Sequence, residues 1–225
     1  MKILALEFSS PHRSVAVVGN VRGPGTWTET EAVETGDRSN RPFELIQDVL
    51  SQARLERGQI EGLAIGLGPG SYTGIRGAIA IAQGWKLARD VRLLGISSAE
   101  CLAAQAHSDG LRGRVSVVID AQRGEFYLAN YELDSSEWRE VQPLRLAPAE
   151  EVAASGAKGD VLVGPEVQNW FQEGRILFPR AATLGKLALK KTEFIEGQHL
   201  EPIYLRKSSF LKAPPPRILP DGSPL

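Results

Sequence analysis

The sequence predicts an α/β protein made of two related halves, each a mixed sheet carrying helices. Three observations lead there. Apolar runs at residues 3–8 and 115–119 have the character of buried strands, and each carries an acid at or just after its end, Glu7 and Asp120. Each is followed by turn-forming residues and a second β-rich segment, so each half opens on a hairpin. Beyond each hairpin, apolar strand segments alternate with stretches of helical period, the pattern of a layered α/β fold.

The elements follow in order. Residues 3–8 are the first strand, Ser9-Ser10-Pro11 a turn, and residues 14–18 the second strand. Residues 26–33 alternate with threonines and read as a third. Pro42 suits the first turn of a helix, where its missing N–H costs nothing. Phe43, Leu45, Ile46, Val49, Leu50 and Ala53 then recur at helical spacing, and the pattern ends near Gly58. Residues 63–67 form a strand, residues 75–88 a helix rich in Gly and Ala, and residues 91–96 a further strand. Ser97-Ser98 caps a helix reaching about His107. After a polar break at residues 109–113 the pattern restarts. Strands are expected at 115–119, 125–132, 141–146 and 160–163, and helices at 148–154 and 182–194. The division is therefore 1–108, 109–212 and a proline-rich tail, 213–225, whose composition predicts extended or disordered chain.

Composition narrows the classes. With 225 residues, 42% of them hydrophobic, the chain can bury a sizeable core. A formal charge of −1 excludes bulk polyanion binding, although residues 175–217 hold nine Lys and Arg against three acids. Cys101 is the single cysteine, so no intrachain disulfide forms, as expected in a reducing compartment. No apolar run reaches the roughly 18 residues of a membrane span, and residues 1–6 are too short for a signal-peptide core. A cytoplasmic protein without membrane contact is expected.

The most informative stretch is residues 66–77, Gly-Leu-Gly-Pro-Gly-Ser-Tyr-Thr-Gly-Ile-Arg-Gly, placed between a strand and a helix. Such a loop can aim backbone N–H groups at an anion, aided by the helix dipole. Gly68, Gly70, Ser71, Thr73 and Gly74, with Asp120 from the second half, are the candidate nucleotide-side residues. The P-loop lysine is missing, so the alternative is a tight turn in which Ser71 or Thr73 caps the helix. Asp120 and Arg123 are likewise candidates for hydrogen bonds within their own hairpin turn.

The stretches 3–10, 66–76 with Ala82-Gln83-Gly84, 95–98, 119–127 and Pro202-Ile203-Tyr204-Leu205-Arg206 resemble, in order and over most of the chain, the bacterial TsaB (YeaZ) family. The resemblance implies a duplicated actin-like and sugar-kinase-like fold. It implies a non-catalytic scaffold role in making threonylcarbamoyladenosine in tRNA. The implied partners are a catalytic TsaD-like paralogue, a TsaE-like ATPase and tRNA through the complex, with a homodimer when the chain is alone. ATP and metal are expected in the partner subunits, with no cofactor here. Two departures stand out: Glu7-Phe8 replaces the family's usual Asp-Thr, and Asp37-Arg38-Ser39-Asn40 stands where many members carry a His.

The remaining candidates follow. No catalytic or metal site is expected: His12, His107 and His199 lack ligand spacing, and Glu100 with Cys101 stands where the catalytic paralogue has a His-x-x-x-His pair. Cys101, between an acid and apolar residues, reads as a structural thiol. The expected partner seam is Leu45, Ile46, Val49 and Leu50 on one helix with Gly74, Ala78, Ile81 and Ala82 on the next, although the same residues suit packing on their own sheet. Lys186, Lys190, Lys191, Arg206 and Lys207 are candidate tRNA contacts. The competing functions are an ATP-dependent phosphotransferase or nucleotidase of the same fold, and a generic dimeric module.

Overall fold

The computed structural model describes residues 1–20, 27–36 and 41–206. Residues 37–40, Lys207 and the proline-rich tail lie outside the described residues. Two five-stranded sheets carry the chain. The first has the order β3-β2-β1-β4-β5, from β1 (Lys2–Glu7), β2 (His12–Asn20), β3 (Trp27–Thr35), β4 (Gly62–Gly66) and β5 (Arg92–Ile96). The second has the order β10-β9-β6-β7-β8, from β6 (Gly113–Asp120), β7 (Glu125–Leu133), β8 (Trp138–Pro148), β9 (Val161–Gly164) and β10 (Arg175–Ile176). In both, an antiparallel three-stranded meander is extended by two parallel strands. The repeat inferred from the two hairpins is therefore a repeat of the whole sheet.

The first strand of each half is buried on both faces, which is why it reads as an unbroken apolar run. Leu4 and Leu6 point to the side covered by α1 (Pro42–Ala53) and α2 (Tyr72–Ala88), while Ile3 and Ala5 point to the other. That other face is covered by α5 (Ala181–Lys190), a helix from the second half. Reciprocally, Ala99, Leu102, Ala103 and Ala106 of α3 (Ser98–Ser108) pack on Val115, Val117 and Ala129 of the second sheet. The first sheet ends at Ile96 and the second begins at Gly113, but the helix that follows each sheet covers the other. Helix α4 (Ala149–Ala157) closes the outer face of the second sheet through Val152.

Close approach of α5 to the first sheet depends on Gly185, where a Cβ would overlap the Val18 side chain and crowd Ala5. The helix stops at Lys190, short of the expected residue 194, because the chain leaves it to run along the sheet edge. Ile195 N–H donates to Leu93 O (2.8 Å), Leu200 is buried, and Ile203 N–H donates to Leu67 O (2.9 Å). Arg206 then reaches the second half, bonding Gln122 O (3.2 Å) and Glu125 (2.5 Å). The two-residue strand β10 has no sequence counterpart, being too short to show a period.

Gly185→Val is expected to lower unfolding stability by about 1–3 kcal/mol through overpacking. Urea unfolding measures this, and an unchanged midpoint would refute the α5 packing described.

Candidate functional site

The glycine loop sits on the first hairpin turn, backbone against backbone. A Cβ on Gly70 would overlap the Ser9 carbonyl and one on Gly74 the Phe8 carbonyl, while Ser71 N–H donates to Ser9 O (2.7 Å). These two glycines are required by contact with the chain itself. Ser71 is the N-cap of α2, its Oγ accepting from Gly74 N–H (3.3 Å), so the helix begins a turn earlier than the apolar pattern suggests. Thr73 is exposed. Arg76 folds back onto Tyr72, its Nη1 donating to the phenol oxygen (2.5 Å).

Glu7 lies under this loop and is fully buried. Its carboxylate accepts from Ser9 N–H (2.9 Å) and from Ser98 Oγ (2.9 Å). Ser98 in turn ties the loop through Gly68 N–H to its Oγ (3.2 Å) and its own N–H to Gly68 O (2.8 Å). Room for the longer acid comes from Gly66, where a Cβ would strike the Glu7 carboxylate. Burial pushes the Glu7 carboxyl above its ordinary value of 4.5, against the opposing hydrogen bonds from Ser9 and Ser98. Cys101 is also buried, its thiol bonded to Arg180 O (3.4 Å) and pushed well up by burial first and by Glu7 second. That environment holds it as an inert thiol.

Between the halves lies a cleft of about 680 Å³ lined by Ser9, Ser10, Gly70, Ser71, Thr73 and Asp120, among others. The structure thus brings together the loop and Asp120 as the sequence proposed. The Asp120 carboxylate is taken up by Gln122, accepting from its N–H (2.7 Å) and its Nε2 (3.2 Å). Gln122, not Arg123, is its turn partner. Among the described residues, no group of three or more His, Cys, Asp or Glu is placed to hold a metal ion, and no helix is long and apolar enough to cross a membrane.

The expected helix seam needs correction. Leu45, Ile46, Val49 and Leu50 of α1, and Gly74, Ala78 and Ala82 of α2, all face the first sheet and are buried in its core. Helical spacing finds an apolar face but cannot say which neighbour covers it. The outward face is a separate apolar groove of about 730 Å³ lined by Pro42, Phe43, Gly77, Ala80, Gly84 and Trp85, with Ile46 and Ile81 at its floor. Of the expected seam, Ile46 and Ile81 alone reach it. At Gly77 and Gly84 a Cβ would meet nothing within 4 Å.

The basic candidates do not form one patch. Lys186 pairs with Glu29 on β3 (2.7 Å), Lys191 with Glu100 on α3 (3.0 Å) and Arg206 with Glu125 on β7 (2.5 Å). Lys190 is exposed at the end of α5. Three of the four described candidates thus have an acid against them, on three different elements.

Two copies of one five-stranded unit, flanking a cleft with a glycine loop on one wall, define the duplicated actin-like and sugar-kinase-like class. Residues 38–198 match the family model for TsaD, tRNA N6-adenosine threonylcarbamoyltransferase. The tRNA threonylcarbamoyladenosine biosynthesis protein TsaB of Escherichia coli K12 is 30% identical over 227 residues, covering 92% of this chain and 96% of that protein. The TsaB protein of Haemophilus influenzae is 28% identical over 239 residues, 96% of this chain and 98% of its own length. The solved structure of YeaZ from Pseudomonas aeruginosa superposes with a TM-score of 0.76 at 27% identity, covering 91% of this chain and 99% of that one. The chain belongs to the TsaB (YeaZ) family and so to the tRNA threonylcarbamoyladenosine biosynthesis pathway.

The buried acid makes stability depend on pH. With the folded-state value raised above 4.5, the neutral form's stabilisation is complete below 4.5 and is lost as pH rises through the folded value. Thermal melts of Glu7→Gln, which carries no charge, are expected to fall less than those of the parent as pH rises above 4.5. Parallel curves would contradict the assignment.

Proposed function

We propose that this chain is a non-catalytic scaffold that binds and activates a TsaD-like catalytic paralogue through the groove between α1 and α2. Gly77 and Gly84 carry the reading. Glycine in a helix interior costs about 1 kcal/mol relative to alanine. At neither position does the rest of the chain gain from it, since a Cβ would meet no neighbour. The requirement comes from outside the chain, where small residues let another backbone approach closely. Phe43 and Leu87 stand exposed beside this face, Leu87 at 90%, and such apolar surface is characteristic of an interface.

The same face serves a homodimer when the partner is absent, and a TsaE-like ATPase joins the assembled pair. ATP and metal act in those partners, and tRNA is engaged by the complex. A scaffold role is supported on the cleft side as well. The first acid, Glu7, is held under the loop by Ser9 and Ser98, and the two glycines of closest approach are filled by the Phe8 and Ser9 carbonyls. An ATP-dependent phosphotransferase would use a short acid facing the cleft and a loop free to accept phosphate.

Gly84→Arg separates assembly from folding. It replaces an exposed helix glycine by a better helix former, so the isolated chain should keep its circular-dichroism spectrum, while self-association and association with the TsaD-family subunit both weaken at least about tenfold. Light scattering on the mixed proteins measures complex mass. An intact complex would remove the groove from the interface. Ala78→Arg cannot serve, because Ala78 is buried in the core.

A further inference from the structure

At the rim of the cleft, Tyr72 and Tyr204 place their rings 5.8 Å apart at an angle of 34°. The guanidinium of Arg76 lies 5.1 Å above the Tyr72 ring centroid and bonds its hydroxyl. Tyr72 also lines the cleft beside Gly70, Ser71 and Thr73. The Tyr204 hydroxyl also hydrogen-bonds with Tyr72 and Arg76, but the C-terminal segment does not depend on those bonds. The segment is already held by Ile195, Leu200 and Ile203, and by Gln83 donating to Gly197 O (2.9 Å). The two rings stay 56% and 53% exposed, which packing alone would have covered. Among the described residues Arg76 joins no ion pair, so its charge is available to an anion.

Two half-exposed aromatic rings beside a cation that joins no ion pair among the described residues match a flat π-system carrying a phosphate. We infer that Tyr72, Arg76 and Tyr204 form a stacking platform for an unpaired nucleotide, its base on the tyrosine rings and its phosphate against Arg76. A free mononucleotide and an unpaired nucleotide within RNA share this chemistry. RNA is the source favoured, a choice that rests on the pathway reading above. The apolar groove of α1 and α2 is lined by other residues, from Pro42 and Gly77 to Arg89, so the platform is a second surface.

The test uses the full-length chain with a labelled single-stranded RNA of about ten nucleotides, the same strand in duplex, and AMP as competitor, read by fluorescence anisotropy in about 50 mM salt. Single strand is expected to bind more tightly than duplex. Tyr204→Leu and Tyr72→Leu should each weaken it by about tenfold or more, while Tyr204→Phe stays within about twofold. Arg76→Gln should reduce the salt slope by about 0.7. Equal binding of duplex and single strand, or no loss in the leucine variants, overturns the proposal. So does complete displacement of RNA by equimolar AMP, which would assign a free nucleotide. Association with the TsaD-family subunit is measured on the same variants and is expected to be unchanged. If the leucine variants lose that association but keep RNA binding, the surface belongs to a protein partner and the proposal fails. If the unmutated chain shows the single-strand preference but never associates, the scaffold reading fails and the platform stands.

Discussion

The contact on which the rest depends is the seat of the glycine loop on the turn after β1. Phe8 and Ser9 offer carbonyls, Gly70 and Gly74 leave the space, and Glu7 with Ser98 bonds the assembly from beneath. A buried carboxyl is unfavourable unless its hydrogen bonds are satisfied, and here both oxygens have a donor. The seat fixes where α2 begins, and α2 in turn sets the outward groove at one end and the cleft rim at the other. One buried acid thus orients both candidate binding surfaces.

The second constraint is the crossing of the two halves. Helices α3 and α5 lie between the sheets, each serving the sheet it does not follow in the chain. The Cys101 thiol bonded to Arg180 O joins them at the centre, and the segment from Ile195 to Arg206 runs from the edge strand β5 to the β6–β7 hairpin. The Glu31–Arg180 pair and the stacking of His12 on Phe178 add two further ties across the same junction. The scaffold role proposed above would benefit from such bracing, since its contribution to a partner is a fixed shape.

Much of the fold was legible in the sequence because its signals are local. Residues 3–8 and 115–119 announce doubly buried strands, Pro42 and Ser97 mark helix starts, and the repeated hairpin reveals the duplication. Ser71 is equally legible as an N-cap, since a Ser at the end of a glycine turn satisfies the first helical N–H groups. What stayed hidden depends on what lies across the fold. The stripe of Leu45, Ile46, Val49 and Leu50 is the same whether a sheet or a partner covers it, so the seam was placed on the core face. Gly77 and Gly84 read in sequence only as members of a small-residue helix, because a glycine's meaning depends on whether its missing Cβ would meet anything. The lysines and Arg206 looked like one basic patch along the chain. In space their acids, Glu29, Glu100 and Glu125, belong to three separate elements.

The exchange of α3 and α5 has a consequence for the order in which the molecule is made. Ile3, Ala5, Ala16 and Val18, all far upstream of α5, lack its cover on one face until Ala181–Lys190 has left the ribosome. Domains generally fold as units, the N-terminal one first. Here the first sheet must wait for the last helix, holding an apolar face open for most of translation. The nascent chain is therefore most exposed to aggregation, and most in need of a chaperone, when its first half has already been made.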